Sequence, residues 1–143
     1  MIKRLLLLLA LLLASASTQA ATSLSAVNAG GCTPGKLISA ATTNATAVKT
    51  SPGQLYWIYV TNTNAAIRWL KLYNKASAPT VGTDVPTLTL GIPGNTAGAG
   101  GTVSITIGIQ FTTGIALATT TGDADANSGA VAADEMVINY CTR

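Results

Sequence analysis

The chain contains no histidine. That removes the imidazole base of the common hydrolase triads and the most frequent metal ligand. It has no Gly-x-Ser-x-Gly nucleophile elbow, so the second usual sign of a serine hydrolase is missing too. There are two cysteines, Cys32 and Cys141, too few for a zinc site when no histidine can complete the ligand set. Charged residues are 9% of the chain, against about a quarter in an average soluble domain. Lysine and arginine are not clustered, so the basic patch of a nucleic-acid binder is missing. Apolar residues nevertheless reach 48%, which is not the composition of a disordered chain. The polar surface must therefore come mostly from threonine, serine, asparagine and glycine. Two near-motifs are also set aside. Residues 30–37, GGCTPGKL, place Leu37 where a phosphate-binding loop needs a hydroxyl for magnesium. Asp134 and Glu135 are adjacent, so in a strand they point to opposite faces and make a poor acid–base pair. The chain reads as a non-enzyme.

What is present begins with a basic start, Lys3 and Arg4, then ten apolar residues at 5–14, then Ser15, Ala16 and Ser17. This is the order of a secretory signal peptide, expected over residues 1–20, with cleavage after Ala16 or Ala20. The apolar run is shorter than the about 20 residues that span a bilayer, so no membrane association is expected once it is removed. Removal also takes Lys3 and Arg4, leaving six basic residues against five acids, a net charge of +1. The sequence pI of 9.1 is thus largely a property of the signal. Export to the periplasm or the extracellular space brings the two cysteines into an oxidising compartment, where an even pair reads as a disulfide. Joining Cys32 to Cys141 would close a loop near 100 residues and contribute about 4–5 kcal/mol in the chain-entropy view.

The mature chain divides into a lead-in, residues 21–35, and one domain over 36–143. Short strands are expected at 36–41, 45–50, 55–60, 67–73, 87–92, 103–111, 115–120 and 135–141. Residues 103–111 alternate, with Val103, Ile105, Ile107, Ile109 and Phe111 on one face. Residues 87–92 alternate likewise through Leu88, Leu90 and Ile92. The prolines fall at strand ends or between strands, where a sheet tolerates them. No useful length shows helical periodicity; residues 126–134 could form at most one turn. The expected fold is all-β, a single antiparallel β-sandwich, jelly-roll-like, of roughly seven or eight short strands. Residues 54–75 hold both tryptophans and three of the four tyrosines. They read as a β-hairpin supplying the central pair of one sheet. On its second strand Leu70 and Leu72 should face the core, with Arg68 at the strand end where its charge reaches water. Trp69, Lys71 and Tyr73 take the opposite face. Lys71 is costly to bury alone, so that face should be partly open and these three residues are candidates for a partner contact. The alternative is that another loop covers the same rings.

One constellation resembles metal chemistry. Asp123, Asp125 and Asn127 alternate, and Asp134 follows eleven residues after the first. This copies the first, third, fifth and twelfth ligand places of a calcium loop. Ser128 stands where that loop needs glycine, and no helices flank it. The two readings are a plain surface loop and a weak calcium site; no other cofactor is expected.

Residues 66–85, AIRWLKLYNKASAPTVGTDV, carry a longer pattern. It runs Arg68, Trp69, Leu70, Lys71, Leu72, Tyr73, Asn74, Lys75, Ala76, then Ala78, Pro79, Thr80, Val81, Gly82, Thr83 and Asp84. This resembles a segment of small phage structural proteins found in tail and head-decoration components. The similarity extends over residues 54–140, through Pro86, the Leu88/Leu90 strand, Gly114-Ile115-Ala116 and Thr119-Thr120-Thr121-Gly122. The resemblance implies a non-enzymatic virion component with an antiparallel β-sandwich. Its expected partners are other virion proteins and copies of itself in a homo-oligomer, without nucleic acid. The signal peptide and cysteine pair depart from that pattern and suit an exported bacterial surface or adhesion module. A glycan-binding sandwich with an exposed aromatic platform is a third reading.

Overall fold

A computed structural model of the protein describes residues 31–95, 101–105 and 108–143. The expected signal peptide, and the lead-in through residue 30, lie outside the described residues. Nine strands are present: β1 (Thr33–Ile38), β2 (Thr46–Lys49), β3 (Gly53–Asn62), β4 (Arg68–Asn74), β5 (Leu88–Ile92), β6 (Gly101–Ile105), β7 (Ile109–Phe111), β8 (Ile115–Thr120) and β9 (Met136–Thr142). All pairings are antiparallel. Sheet one has the order β1-β9-β3-β6, with β7 also paired to β3, and sheet two the order β2-β8-β4-β5. β6 pairs with residues 58–62 of β3 and β7 with residues 53–55, so the two share one position in the sheet. Counted that way, there are eight strand positions, and the chain crosses between the sheets at every step except β4 to β5, which pair within sheet two, the winding of a jelly roll.

The core lies between the sheets. From sheet one, alternation turns Ile58, Val60, Met136 and Ile138 inward; from sheet two it turns in Leu70, Leu72, Ile115 and Leu117, all essentially inaccessible. Ile92 and Phe111 join them, with Leu88, Leu90 and Ile109 packed alongside. The periodicity of residues 87–92 is therefore realised as read, whereas the single strand expected over 103–111 is two strands, β6 and β7, of which β7 turns Phe111 into the core.

The expected hairpin at residues 54–75 does not form. β3 and β4 belong to different sheets: β3 lies between β9 and β6/β7, and β4 between β8 and β5. Two apolar strands joined by a short polar link can pair edge to edge or stack face to face. Here each finds other partners at both edges, so they stack. Asparagines build the corner between them: Asn62 Nδ2 donates to the carbonyls of Ala66 (2.9 Å) and Ile92 (3.1 Å), while the amides of Asn64 and Ala66 donate to Asn62 Oδ1 and Asn64 Oδ1. Other boundaries shift less. β1 starts at Thr33 rather than residue 36 and carries Pro34 inside an edge strand, where a missing donor is tolerated. Residues 126–134 are turns and irregular chain without a helix.

β1 pairs with β9, which brings the first described residues beside the last strand. There Cys32 and Cys141 are bonded, with Cα atoms 5.4 Å apart and a sequence separation of 109. Reducing this bond, or substituting Cys141→Ser, should lower stability by roughly 2–5 kcal/mol. Chemical denaturation of the oxidised and reduced protein would check it; identical midpoints would mean the link constrains nothing the sheets do not already hold.

Candidate functional site

β4 has two sides, and its outer side carries Trp69, Lys71 and Tyr73. The neighbouring outward positions are small: Ala116, Ala118 and Thr120 on β8, and Thr89 and Gly91 on β5. Large side chains on β4 can lie over these neighbours. The Trp69 ring does so at Gly91, where an added Cβ would meet it at 2.9 Å. Two loops, residues 75–87 and 121–130, then fold over the same surface. Val81 packs with Tyr73, Ala116 and Ala118, and Gly82, at φ 90°, brings the first loop onto the second at the Ala126 carbonyl. Only glycine suits both that backbone angle and that approach.

The expected open face is therefore closed over two of its three candidate contact residues. Lys71 is 0% and Tyr73 1% exposed, while Trp69 stays half-buried. Burial of Lys71 is made tolerable by the second loop. Its Nζ donates to the carbonyls of Ala124 (2.6 Å), Asn127 (3.1 Å) and Asp125 (3.4 Å). An ammonium has three donors and no acceptor, so three converging carbonyls match it. Desolvation lowers its pKa from the ordinary 10.5, partly offset by the charges of Asp125 and Asp123. Tyr73 has no such arrangement: its hydroxyl is buried without a hydrogen-bond partner. Desolvation, with Asp84 and Asp125 nearby, raises its pKa above the ordinary 10.0.

The calcium candidates are placed by the same loop. Asp123 and Asp125 are exposed. Asn127 spends its side-chain oxygen on the loop itself, accepting from the amides of Gly129 (3.1 Å) and Gly122 (3.2 Å). Asp134, at φ 59°, adjoins β9 and donates its amide to the Ser39 carbonyl (2.7 Å). Among the described residues no three histidine, cysteine, aspartate or glutamate side chains gather in a group able to hold a metal ion. What converges in this loop is main-chain oxygen, and it converges on the lysine.

The first loop is pinned separately. Asp84 Oδ2 accepts from Lys75 Nζ (2.5 Å) and the Thr80 amide (2.7 Å), and the amides of Thr83 and Asp84 donate back to the Thr80 carbonyl. These contacts, the Lys75 hydrogen bond first, hold the Asp84 carboxyl below its ordinary 3.8. Beside them a shallow polar cleft of about 230 Å³ is lined by Tyr73, Asn74, Lys75, Asp84, Val85 and Thr87. Lys75 and Asp84 are committed to each other, and no thiol or imidazole lines it.

Arg68 corrects a further expectation. Instead of reaching water, its side chain is 14% exposed and pairs with the buried Glu135, Nε to Oε1 at 2.5 Å. The contact is a charge pair without an aligned N–H···O bond. Glu135 Oε2 also accepts from the Ala132 amide (2.5 Å), and Ser39 Oγ accepts from the amides of Met136 (2.9 Å) and Glu135 (3.0 Å). With Asn62, these groups form a polar plug at one end of the sandwich. Sequence reasoning missed both the plug and the lysine cage. The small-residue alternation of residues 115–120 was the available signal for the closed face.

Comparison with known protein families, with curated proteins and with solved structures finds no match. No helix among the described residues is long and apolar enough to cross a membrane.

Replacing Lys71 with Met should cost about 1.5–3 kcal/mol, the range for a hydrogen-bonded charged group, and speed amide exchange across residues 122–129. Titrating the wild-type protein with millimolar calcium should leave its melting temperature unchanged. A calcium-dependent rise would show that the exposed carboxylates gather a second cation.

Acid should loosen the first loop. A depressed carboxylate stabilises the folded state above its ordinary pKa, and that contribution is lost as pH falls through the lowered value. Amide exchange at Thr80 and Asp84 should therefore accelerate below pH 3.8. In Asp84→Asn the exchange should be fast already at neutral pH and lose this acid dependence.

Proposed function

We propose that this protein is a non-enzymatic virion structural or decoration component, exported or carried on the virion surface, that packs against neighbouring subunits, copies of itself among them. One observation carries the reading. Residues 66–85, which resemble phage structural proteins, form β4 and its covering loop, and that segment presents two large apolar side chains to solvent, Ile67 (43% exposed) and Val85 (73%). An ordered loop pinned by its own ion pair with Val85 turned outward, together with Ile67 exposed at the other end of β4, suits a surface that is covered on assembly. The jelly-roll winding agrees with this, since viral capsid domains use it, although the fold alone assigns no function. A second reading, an exported bacterial surface or adhesion module, is favoured by the Cys32–Cys141 bond, because disulfides persist in oxidising compartments.

The double variant Ile67→Asp, Val85→Asp tests the packing surface. Exposed substitutions away from caps and buried networks change stability by about 0.5 kcal/mol or less, so the fold should survive. The wild type should sediment as an oligomer or with particles, and the variant as a monomer. Variant and wild type sedimenting alike would remove this surface from the assembly.

A further inference from the structure

The other large exposed apolar side chains, Ile38 and Tyr59, lie on the outer face of sheet one. Strand register there sets out a row: Lys36 on β1 opposite Asn139 on β9, Asn139 opposite Tyr59 on β3, and Tyr59 opposite Ser104 on β6. Trp57 and Thr61 flank Tyr59 along the same side of β3 by alternation. Lys36, Tyr59 and Ser104 are exposed, and Asn139, Trp57 and Thr61 are half-buried.

Two features mark this face. The first is charge: it carries the Lys36 ammonium, and no strand of either sheet contains aspartate or glutamate. The ion pairs among the described residues are Arg68–Glu135 and Lys75–Asp84, so the Lys36 ammonium has no carboxylate. The second is unspent hydrogen-bonding capacity. Asn44, Asn62, Asn74 and Asn127 each bond groups of their own chain. The side chains of Lys36, Asn139, Tyr59 and Trp57 make no such bond. The row thus holds an exposed phenol ring with an amide on one side, a hydroxyl on the other, and an unpaired cation beyond the amide.

That arrangement matches a sugar better than a protein. The C–H face of a pyranose carries partial positive charge and lies favourably on the negative face of an aromatic ring. Its hydroxyls both donate and accept, as an amide and a serine do. A protein interface would call for a contiguous apolar core, whereas the cross-strand neighbours of Tyr59 are Asn139 and Ser104. Lys36 lies two strand spacings from Tyr59, about 9.5 Å, so ring and cation address neighbouring sugars rather than one. The unpaired Lys36 ammonium favours an anionic chain over a neutral one. We propose that this face binds an acidic polysaccharide, one sugar stacked on Tyr59 and the carboxylate of a neighbouring uronic acid held at Lys36. The inference is independent of the packing reading, which concerns the opposite sheet.

The test uses the protein purified after export, on an array of oligouronates (galacturonate, mannuronate and glucuronate-containing chains) beside neutral oligosaccharides of equal length. The wild type should be retained by at least one uronate series, above its neutral counterpart, with retention falling as salt rises. Tyr59→Ala should reduce it about tenfold or more, and Lys36→Ala should reduce retention and flatten its salt dependence. Both variants should keep the wild-type melting temperature, and Ile67→Asp should bind as the wild type does. Retention of no uronate, equal retention of neutral chains, or retention unaffected by Tyr59→Ala each overturns the proposal. So does loss of self-association in Tyr59→Ala without any glycan binding, which would make this face a protein interface.

Discussion

A single ammonium group governs how this sandwich is closed. Lys71 lies in the middle of a central strand, on the side turned away from the core, and water does not reach it. A buried cation without partners is untenable, so the loop at residues 121–130 must turn three carbonyls toward it. That requirement fixes the path of the loop, and Asn127 reinforces it by accepting from the amides on either side. The loop at residues 75–87 then has a surface to rest on, reached through Gly82. Sheet two thereby acquires a third layer made of irregular chain. Among the described residues no loop covers the outer face of sheet one in this way.

The distribution of charge follows the same division. Strands carry basic residues, Lys36, Lys49, Arg68 and Lys71, and the acids Asp84, Asp123, Asp125, Asp134 and Glu135 all lie in loops. Over sheet two the two come together: Lys71 sits among the carbonyls of an acidic loop, and Lys75 meets Asp84. Arg68 meets Glu135 at the plugged end. Among the described residues the Lys36 cation on sheet one, like Lys49 on the edge strand β2 of sheet two, is left without a carboxylate, and Asp123 and Asp125 stand exposed.

The layering of the fold was legible in the residues; the identity of strand neighbours was not. Alternation at residues 87–92 and 109–111 gave the strands and their inward faces, because period two follows from the backbone whatever the partner. The link after β3 was read as a hairpin tip because Asn and Thr serve turns and corners alike. What decides between them is whether each strand is claimed on both edges by others, and those partners, β9 and β8, lie far away in sequence. Lys71 was misplaced for a related reason. Burying it looked prohibitive because its acceptors are main-chain carbonyls of a loop some fifty residues on, and every residue has a carbonyl, so none announces itself. The Asp123, Asp125 and Asn127 spacing did point to an unusual loop. The oxygens it gathers, however, are those of the backbone, and they face a side chain of the same molecule. The cysteine pair was the reverse case, since compartment and parity alone sufficed.

The bond between Cys32 and Cys141 also has a mechanical meaning. Tension entering before Cys32 and leaving after Cys141 would run through one covalent link between two adjacent strands. The sequence between them, a separation of 109, would form a side loop carrying no load. The sheets, the lysine cage and the open aromatic face would keep their geometry while the chain on either side is pulled. A domain tethered this way withstands shear as a knot in a rope does, by leaving the force a path around it.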